Sequence, residues 1–163
     1  MPLNAYQYAQ PPYLQIIYKK IMLILLAICV IIYYMGDDYV EKYSELLEAL
    51  RNNNMEAYYA HDKAAALKII KSLIKPGDTI ACGGSMTLKQ IGVPALLKNG
   101  EYKYLDRDAP GLTRADINLI FRKAFFADAY IMSSNAVLRT GELYNVDGNS
   151  NRVAALLYGP ESV

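Results

Sequence analysis

Short apolar runs alternate with segments of helical period along most of the chain, and this alternation restricts the fold more than any other feature. Asp37-Asp38 can cap a helix in which Val40, Tyr43, Leu46, Leu47 and Leu50 keep the 3.6-residue period, ended by Asn52-Asn53-Asn54. Met55 to Ala60 reads as a short strand. Asp62 caps a second helix with Leu67, Ile70, Leu73 and Ile74 on one face, and Pro76-Gly77 stops it. Thr79 to Cys82 is a buried strand running directly into Gly83-Gly84-Ser85-Met86-Thr87, after which Leu88, Ile91 and Gly92 mark one or two helical turns. Val93-Pro94 restarts a helix through Leu97, Tyr102 to Leu105 is a strand, and Thr113-x-x-Asp116 has the form of a capping box for a helix running to Ala127. Ala127 to Met132 is an apolar strand ending in Ser133, Ser134 and Asn135. This order predicts βαβ units, hence an α/β fold with a mainly parallel sheet, flanking helices and right-handed crossovers.

Composition sets limits on partners. The chain has 163 residues, 53% of them apolar, enough for one domain with a full core. Its 17 Lys and Arg balance 16 acidic residues, so no global field favours nucleic acid. Cys29 and Cys82 lie in unlike settings without a Cys-x-x-Cys, and His61 is the single histidine. No disulfide framework, metal site or cofactor is expected from this pattern. His61 precedes a helix cap and reads as a solvated loop residue. Cys82 reads as a small buried residue rather than a nucleophile, because no base accompanies it in sequence.

Residues 1–34 differ in kind. An irregular aromatic and proline start precedes Lys19-Lys20 and the uncharged run Ile21 to Gly36, which is shorter than a usual spanning helix. Three readings are open: an anchor or signal-like segment over residues 16–36, which is the one route to membrane contact; a buried helix; or a segment outside the mature protein, since Met35 directly precedes a helix start. The last is favoured.

Two stretches carry site chemistry. In the first, Thr140-Gly141 is a turn, Leu143 to Val146 a short strand, and Asp147-Gly148-Asn149-Ser150-Asn151 a polar loop from which Arg152 opens a helix, Val153 to Tyr158, stopped by Gly159-Pro160. A loop feeding a helix N-terminus, with an arginine as bidentate donor, outlines a carboxylate or phosphate site. The plain alternative is a hairpin followed by an ordinary cap, with Ser150 or Asn151 capping and Arg152 solvated. In the second stretch, Gly83 and Gly84 let backbone N–H groups approach a ligand, and Ser85 and Thr87 add hydroxyls. It is neither a Walker loop nor a dinucleotide fingerprint, and a tight strand-to-helix turn would also explain it. Polar loops at strand C-terminal ends are where open α/β sheets place ligands. Asp106-Arg107-Asp108 also follows a strand end, and is either a solvated turn or a third contributor.

GGSMTLKQIG (Gly83 to Gly92), RKAFFADAYIMSSNAV (Arg122 to Val137) and GELYNVDGNSNRVAALLYGP (Gly141 to Pro160) together resemble the LUD domain, the family of the lactate-utilisation protein C, over about Asp38 to Val163. The resemblance implies a fold similar to the ribose-5-phosphate isomerase and CoA-transferase superfamily. On it, residues 35–163 are the domain and 1–34 an extension. It implies a cytoplasmic bacterial protein of L-lactate utilisation, acting in oxidation of lactate to pyruvate beside iron–sulfur partner proteins. Gly83, Gly84, Ser85, Asn135, Asp147, Asn151 and Arg152 fall on motif positions. Family members usually continue beyond the Gly-Pro with a strand and a helix, so the chain reads as C-terminally truncated. CoA transferases carry a Glu-Asn-Gly nucleophile motif; the similar slot here is Ser134-Asn135-Ala136, so a covalent acyl-CoA mechanism is not expected.

The expected ligand is therefore a small carboxylate or phosphate held by Gly83, Gly84, Ser85, Thr87, Asn135, Asp147, Asn151 and Arg152. One alternative is an isomerase of a phosphorylated sugar, for which Asp147 and Glu142 are the acid–base candidates. Another is a non-catalytic subunit that docks onto iron–sulfur proteins.

Overall fold

Thr79-Ile80-Ala81-Cys82 is flanked by the Pro76-Gly77 stop and by Gly83, and it forms the central strand of the molecule. The computed structural model describes residues 29–33 and 40–163. Along it run β1 (Cys29–Tyr33), α1 (Val40–Asn52), β2 (Glu56–Ala60), α2 (Lys63–Leu73), β3 (Thr79–Cys82), α3 (Met86–Ile91), α4 (Val93–Leu97) and β4 (Lys103–Leu105). There follow α5 (Arg114–Lys123), a 3₁₀ turn (Ala124–Phe126), β5 (Ala129–Ile131), β6 (Ala136–Val137), β7 (Leu143–Tyr144) and α6 (Asn151–Tyr158).

The strand β3 pairs in parallel with β4 on one side, Ile80 opposite Tyr104, and with β5 on the other, Ile80 opposite Ala129. Because side chains alternate across a strand, Ile80 and Cys82 enter one core and Ala81 the opposite one. The first core packs Ile80 and Cys82 against Ala66, Ile70 and Ile74 from and just after α2, and against Leu88, Ile91, Val93 and Leu97 of α3 and α4. The second joins Ala81 and Tyr130 to Ala124, Ala127 and Ala155, with Leu105, Met132 and Val163 at its margin. Alanines dominate it, which lets the 3₁₀ turn and α6 lie close on the sheet. The protein is thus α/β, a parallel three-stranded sheet between helices on both faces.

Caps hold the helices where local sequence placed them. The Asp62 carboxylate accepts the N–H of Ala65 at 2.6 Å. The capping box of α5 has both halves, with Thr113 Oγ1 accepting the Asp116 N–H at 3.2 Å and Asp116 Oδ2 accepting the Thr113 N–H at 2.8 Å.

The sheet departs from the sequence reading in continuity. Among the described residues the strands form three separate sheets: β1 with β2 in parallel, the three-stranded unit, and an antiparallel hairpin of β6 and β7. Ser162 adds a parallel bridge beside Ala129. Within the apolar run Ile21 to Gly36, residues Cys29–Tyr33 are strand, aligned Cys29 to Glu56 through Tyr33 to Ala60. The remainder of that run, residues 1–28 before it and the Asp37-Asp38 cap lie outside the described residues. Among the described residues no helix is long and apolar enough to cross a membrane.

Ile80 is fully buried in the central strand. Ile80→Ala should therefore cost about 2–5 kcal/mol in urea unfolding, by lost transfer energy and the cavity left behind. Leu119→Ala, at a residue 49% exposed on α5, should change stability by less than about 0.5 kcal/mol. Equal losses at the two positions would contradict this assignment of the core.

Candidate functional site

Parallel strands end on the same edge of a sheet, so the loops after β3, β4 and β5 converge there: Gly83–Ser85, Asp106–Asp108 and Met132–Asn135. The Gly83 N–H continues the ladder to the Ile131 carbonyl at 2.9 Å, which fixes the first loop against the third. Two arginines occupy this edge in opposite ways.

Arg152, in the first turn of α6, is 9% exposed. Its Nε donates to Asp147 Oδ1 at 2.8 Å. Its Nη1 donates to Asn145 Oδ1 at 3.1 Å and to the Ser133 carbonyl. Its Nη2 donates to Asn135 Oδ1 at 2.7 Å and to the Val146 carbonyl at 2.9 Å. A guanidinium has five N–H donors, and all of them are engaged within the protein. The sequence reading put Arg152 in contact with an external anion or with solvent; the structure places it as the hub of the loop, because burial demands a partner for every donor.

Asp147 supports the same hub. Its Oδ2 accepts the Val153 N–H at 2.8 Å and so caps α6. The caps of the plain alternative do not act: Ser150 sits in the left-handed region at φ 58° without a side-chain cap bond, and Asn151 lies inside the helix. Burial pushes the Asp147 carboxyl up, but the Val153 N–H and the Arg152 hydrogen bond and charge outweigh it, leaving the group below its ordinary value. Asn135 Oδ1 also accepts the Val146 N–H at 2.9 Å, which ties the base of the β6–β7 hairpin.

Gly83 lies beneath this hub. A Cβ there would stand 3.1 Å from Met132 Cβ and 3.3 Å from Arg152 Cδ, so glycine is what admits the arginine stem. At the other end of the hairpin, Gly141 at φ 88° rests on Ala49, and the Asn53 side chain donates to the Thr140 carbonyl at 3.1 Å. Glu142 is exposed at this tip and hydrogen-bonded to Thr140. The hairpin therefore separates Glu142 from the hub at its base.

Arg107, in the loop after β4, is the open arginine. Its guanidinium lies over the Phe121 ring at 5.0 Å, and its Nε is 3.6 Å from Asp108 Oδ1. Its Nη1 and Nη2 meet no hydrogen-bond acceptor among the described residues. Nη2 lies within 3.4 Å of the position a Gly84 Cβ would take. Arg107, Gly83 and Ser85 line one shallow depression open to solvent, together with Lys89, Cys82 and Tyr104. Ser85 Oγ accepts the Leu88 N–H at 3.2 Å, which leaves its hydroxyl proton free to donate. Thr87, two residues further on, is exposed.

Cys82 forms the floor of this depression. Desolvation raises its thiol to about 12 despite a hydrogen bond from Tyr104, so it stays protonated near neutral pH. His61 is 77% exposed beside Asp62, as a loop histidine should be. Among the described residues no group of three or more His, Cys, Asp or Glu is placed to hold a metal ion.

The structure thus joins Asn135 and Asp147 to the buried Arg152 by hydrogen bonds, with Gly83 packed beneath it, and sets Gly84 and Ser85 near Arg107 on the adjoining loops. Arg107 carried little weight in sequence. Its signal was position alone, directly after a strand end. Asn145 was missed altogether, because its partner Arg152 is recruited by the turn of the hairpin.

Arg152→Ala should cost about 3–5 kcal/mol in chemical denaturation at neutral pH, since it leaves the Asp147 carboxylate buried and unpaired. Arg152→Lys should recover little, because a lysine cannot reproduce the forked donor set. A loss under about 1 kcal/mol for the alanine variant would refute the hub. The folded Asp147 carboxyl titrates below its unfolded value of about 3.9, so its contribution is complete above that pH and is lost as pH falls through the folded value. Acid unfolding curves should accordingly be steeper below about pH 4 for the wild type than for Asp147→Asn.

A family model of the LUD domain matches residues 43–163, whereas no curated protein and no solved structure matches the chain. The matched stretch takes in the glycine loop, the Arg107 loop, the hairpin and the Arg152 hub. On that match, the chain belongs to the LUD domain family.

Proposed function

We propose that this LUD-domain protein acts in L-lactate utilisation, in the oxidation of lactate to pyruvate with iron–sulfur partner proteins, and binds a small anionic ligand at the C-terminal edge of its sheet. The family is associated with lactate-utilisation proteins. The observation that carries the anion reading is the Nη edge of Arg107 beside Gly84 and the Ser85 hydroxyl proton, both without an acceptor among the described residues. A planar guanidinium edge matches a carboxylate in bidentate geometry, and the Phe121 ring lies 5.0 Å from the guanidinium carbon. Gly83, Asn135, Asp147 and Arg152 serve as the rigid wall behind the ligand. Oxidation of lactate to pyruvate releases two electrons and two protons. On this reading the domain binds and orients the carboxylate, and the electrons pass to the iron–sulfur partners.

The sugar-phosphate isomerase alternative draws no support from its two candidates. Asp147 has both oxygens engaged and is held ionised, and Glu142 sits at the far hairpin tip. The docking-subunit alternative has an observation behind it: Phe126 is 90% and Tyr158 82% exposed, large apolar surface at the ends of the 3₁₀ turn and of α6.

Thermal unfolding against L-lactate, pyruvate, coenzyme A and sugar phosphates separates these readings. A true ligand at 100 times its Kd should stabilise the fold by about 2.7 kcal/mol. Arg107→Ala should weaken that binding by about 1–3 kcal/mol, the value of a charged hydrogen bond. Undiminished affinity in the variant would remove Arg107 from the site. A folded protein that binds none of the ligands yet co-purifies with iron–sulfur proteins would favour the docking subunit.

A further inference from the structure

The charged side chains lining the depression are Lys89, Arg107 and Asp108, two cations against one carboxylate. Asp108 bridges the cations: Oδ1 faces Arg107 Nε at 3.6 Å and Oδ2 faces Lys89 Nζ at 3.2 Å. Its place is set by the main chain, because its N–H donates to Asp106 Oδ1 at 3.0 Å and the Asp106 carboxylate is itself paired with Lys98 at 2.8 Å. Asp108 therefore places a negative charge between the two cations on the lining of the site.

We propose that Asp108 is a specificity-determining residue that restricts this site to a monoanion, a small monocarboxylate in preference to a phosphate dianion. The inference rests on the reading of Arg107 as the ligand's charge partner. A ligand bound on the Nη edge of Arg107 is balanced by a net lining charge of one and lies beside the Asp108 carboxylate. Repulsion from that carboxylate scales with ligand charge. If it weakens a monoanion by a factor f, it weakens a dianion by f squared. Asp108 and Lys89 are about half exposed, at 54% and 56%, so solvent screens the effect. A factor of about ten per ligand charge is the expected scale.

The test is calorimetric titration of the full chain with pyruvate and with inorganic phosphate at about pH 8, above the second phosphate ionisation. The proteins compared are wild type, Asp108→Asn, Asp108→Glu and Arg107→Ala. The wild type should prefer pyruvate. Asp108→Asn should shift the phosphate-to-pyruvate affinity ratio about tenfold toward phosphate, whereas Asp108→Glu, which keeps the charge, should retain the wild-type ratio. An unchanged ratio in Asp108→Asn, with binding abolished in Arg107→Ala, overturns the role of Asp108 and leaves Arg107 as the anion partner. Binding that survives Arg107→Ala overturns the site reading itself, as does the absence of binding of both probes to folded wild type and Asp108→Asn.

Discussion

One buried guanidinium organises the C-terminal edge of the central sheet. Burying a charge is unfavourable unless it is paired and every donor is satisfied. Arg152 meets that condition with acceptors from separate stretches of chain: Ser133 and Asn135 after β5, Asn145 and Val146 after β7, and Asp147 in the loop that enters α6. A single side chain therefore closes the end of a sheet strand, the base of a hairpin and the start of a helix onto one point. The same requirement explains Gly83 and Asp147. The glycine admits the arginine stem, and the carboxylate supplies counter-charge with one oxygen while capping the helix with the other.

The contrast between the two arginines gives the edge its division of labour. Arg152 is saturated and nearly inaccessible, whereas Arg107 lies over the Phe121 ring and its terminal nitrogens meet no acceptor among the described residues. Stacking and hydrogen bonding hold an arginine by different surfaces, and only the first leaves the donor edge available. A rigid wall and an open donor on adjoining loops are what a binding site on a parallel sheet requires, since the strands that carry the loops are themselves locked by cores on both faces.

Much of the fold was legible because its signals are local. The Asp62 cap, the Thr113–Asp116 capping box and the limits of β3 depend on residues within a few positions of one another, and each stands as read. The α6 cap did not. Ser150 and Asn151 have the right chemistry, but Asp147 is recruited to the Val153 N–H by its pairing with Arg152, a choice that propensity cannot register. Likewise, an uncharged apolar run has no period to distinguish helix from strand, and Cys29–Tyr33 became a strand by pairing with β2.

The sequence by itself determined the alternation of strands and helices, the parallel α/β architecture, the LUD family and the loops that carry polar chemistry, because patterning, capping and turn residues act at short range. Tertiary structure alone decided what each arginine does. Whether a guanidinium is a structural hub or a ligand donor depends on how many acceptors surround it, and those acceptors come from segments that only folding brings together. Arg152 draws its partners from residues 133 to 147, and Arg107 is left with a ring beneath it and a donor edge that meets no acceptor among the described residues.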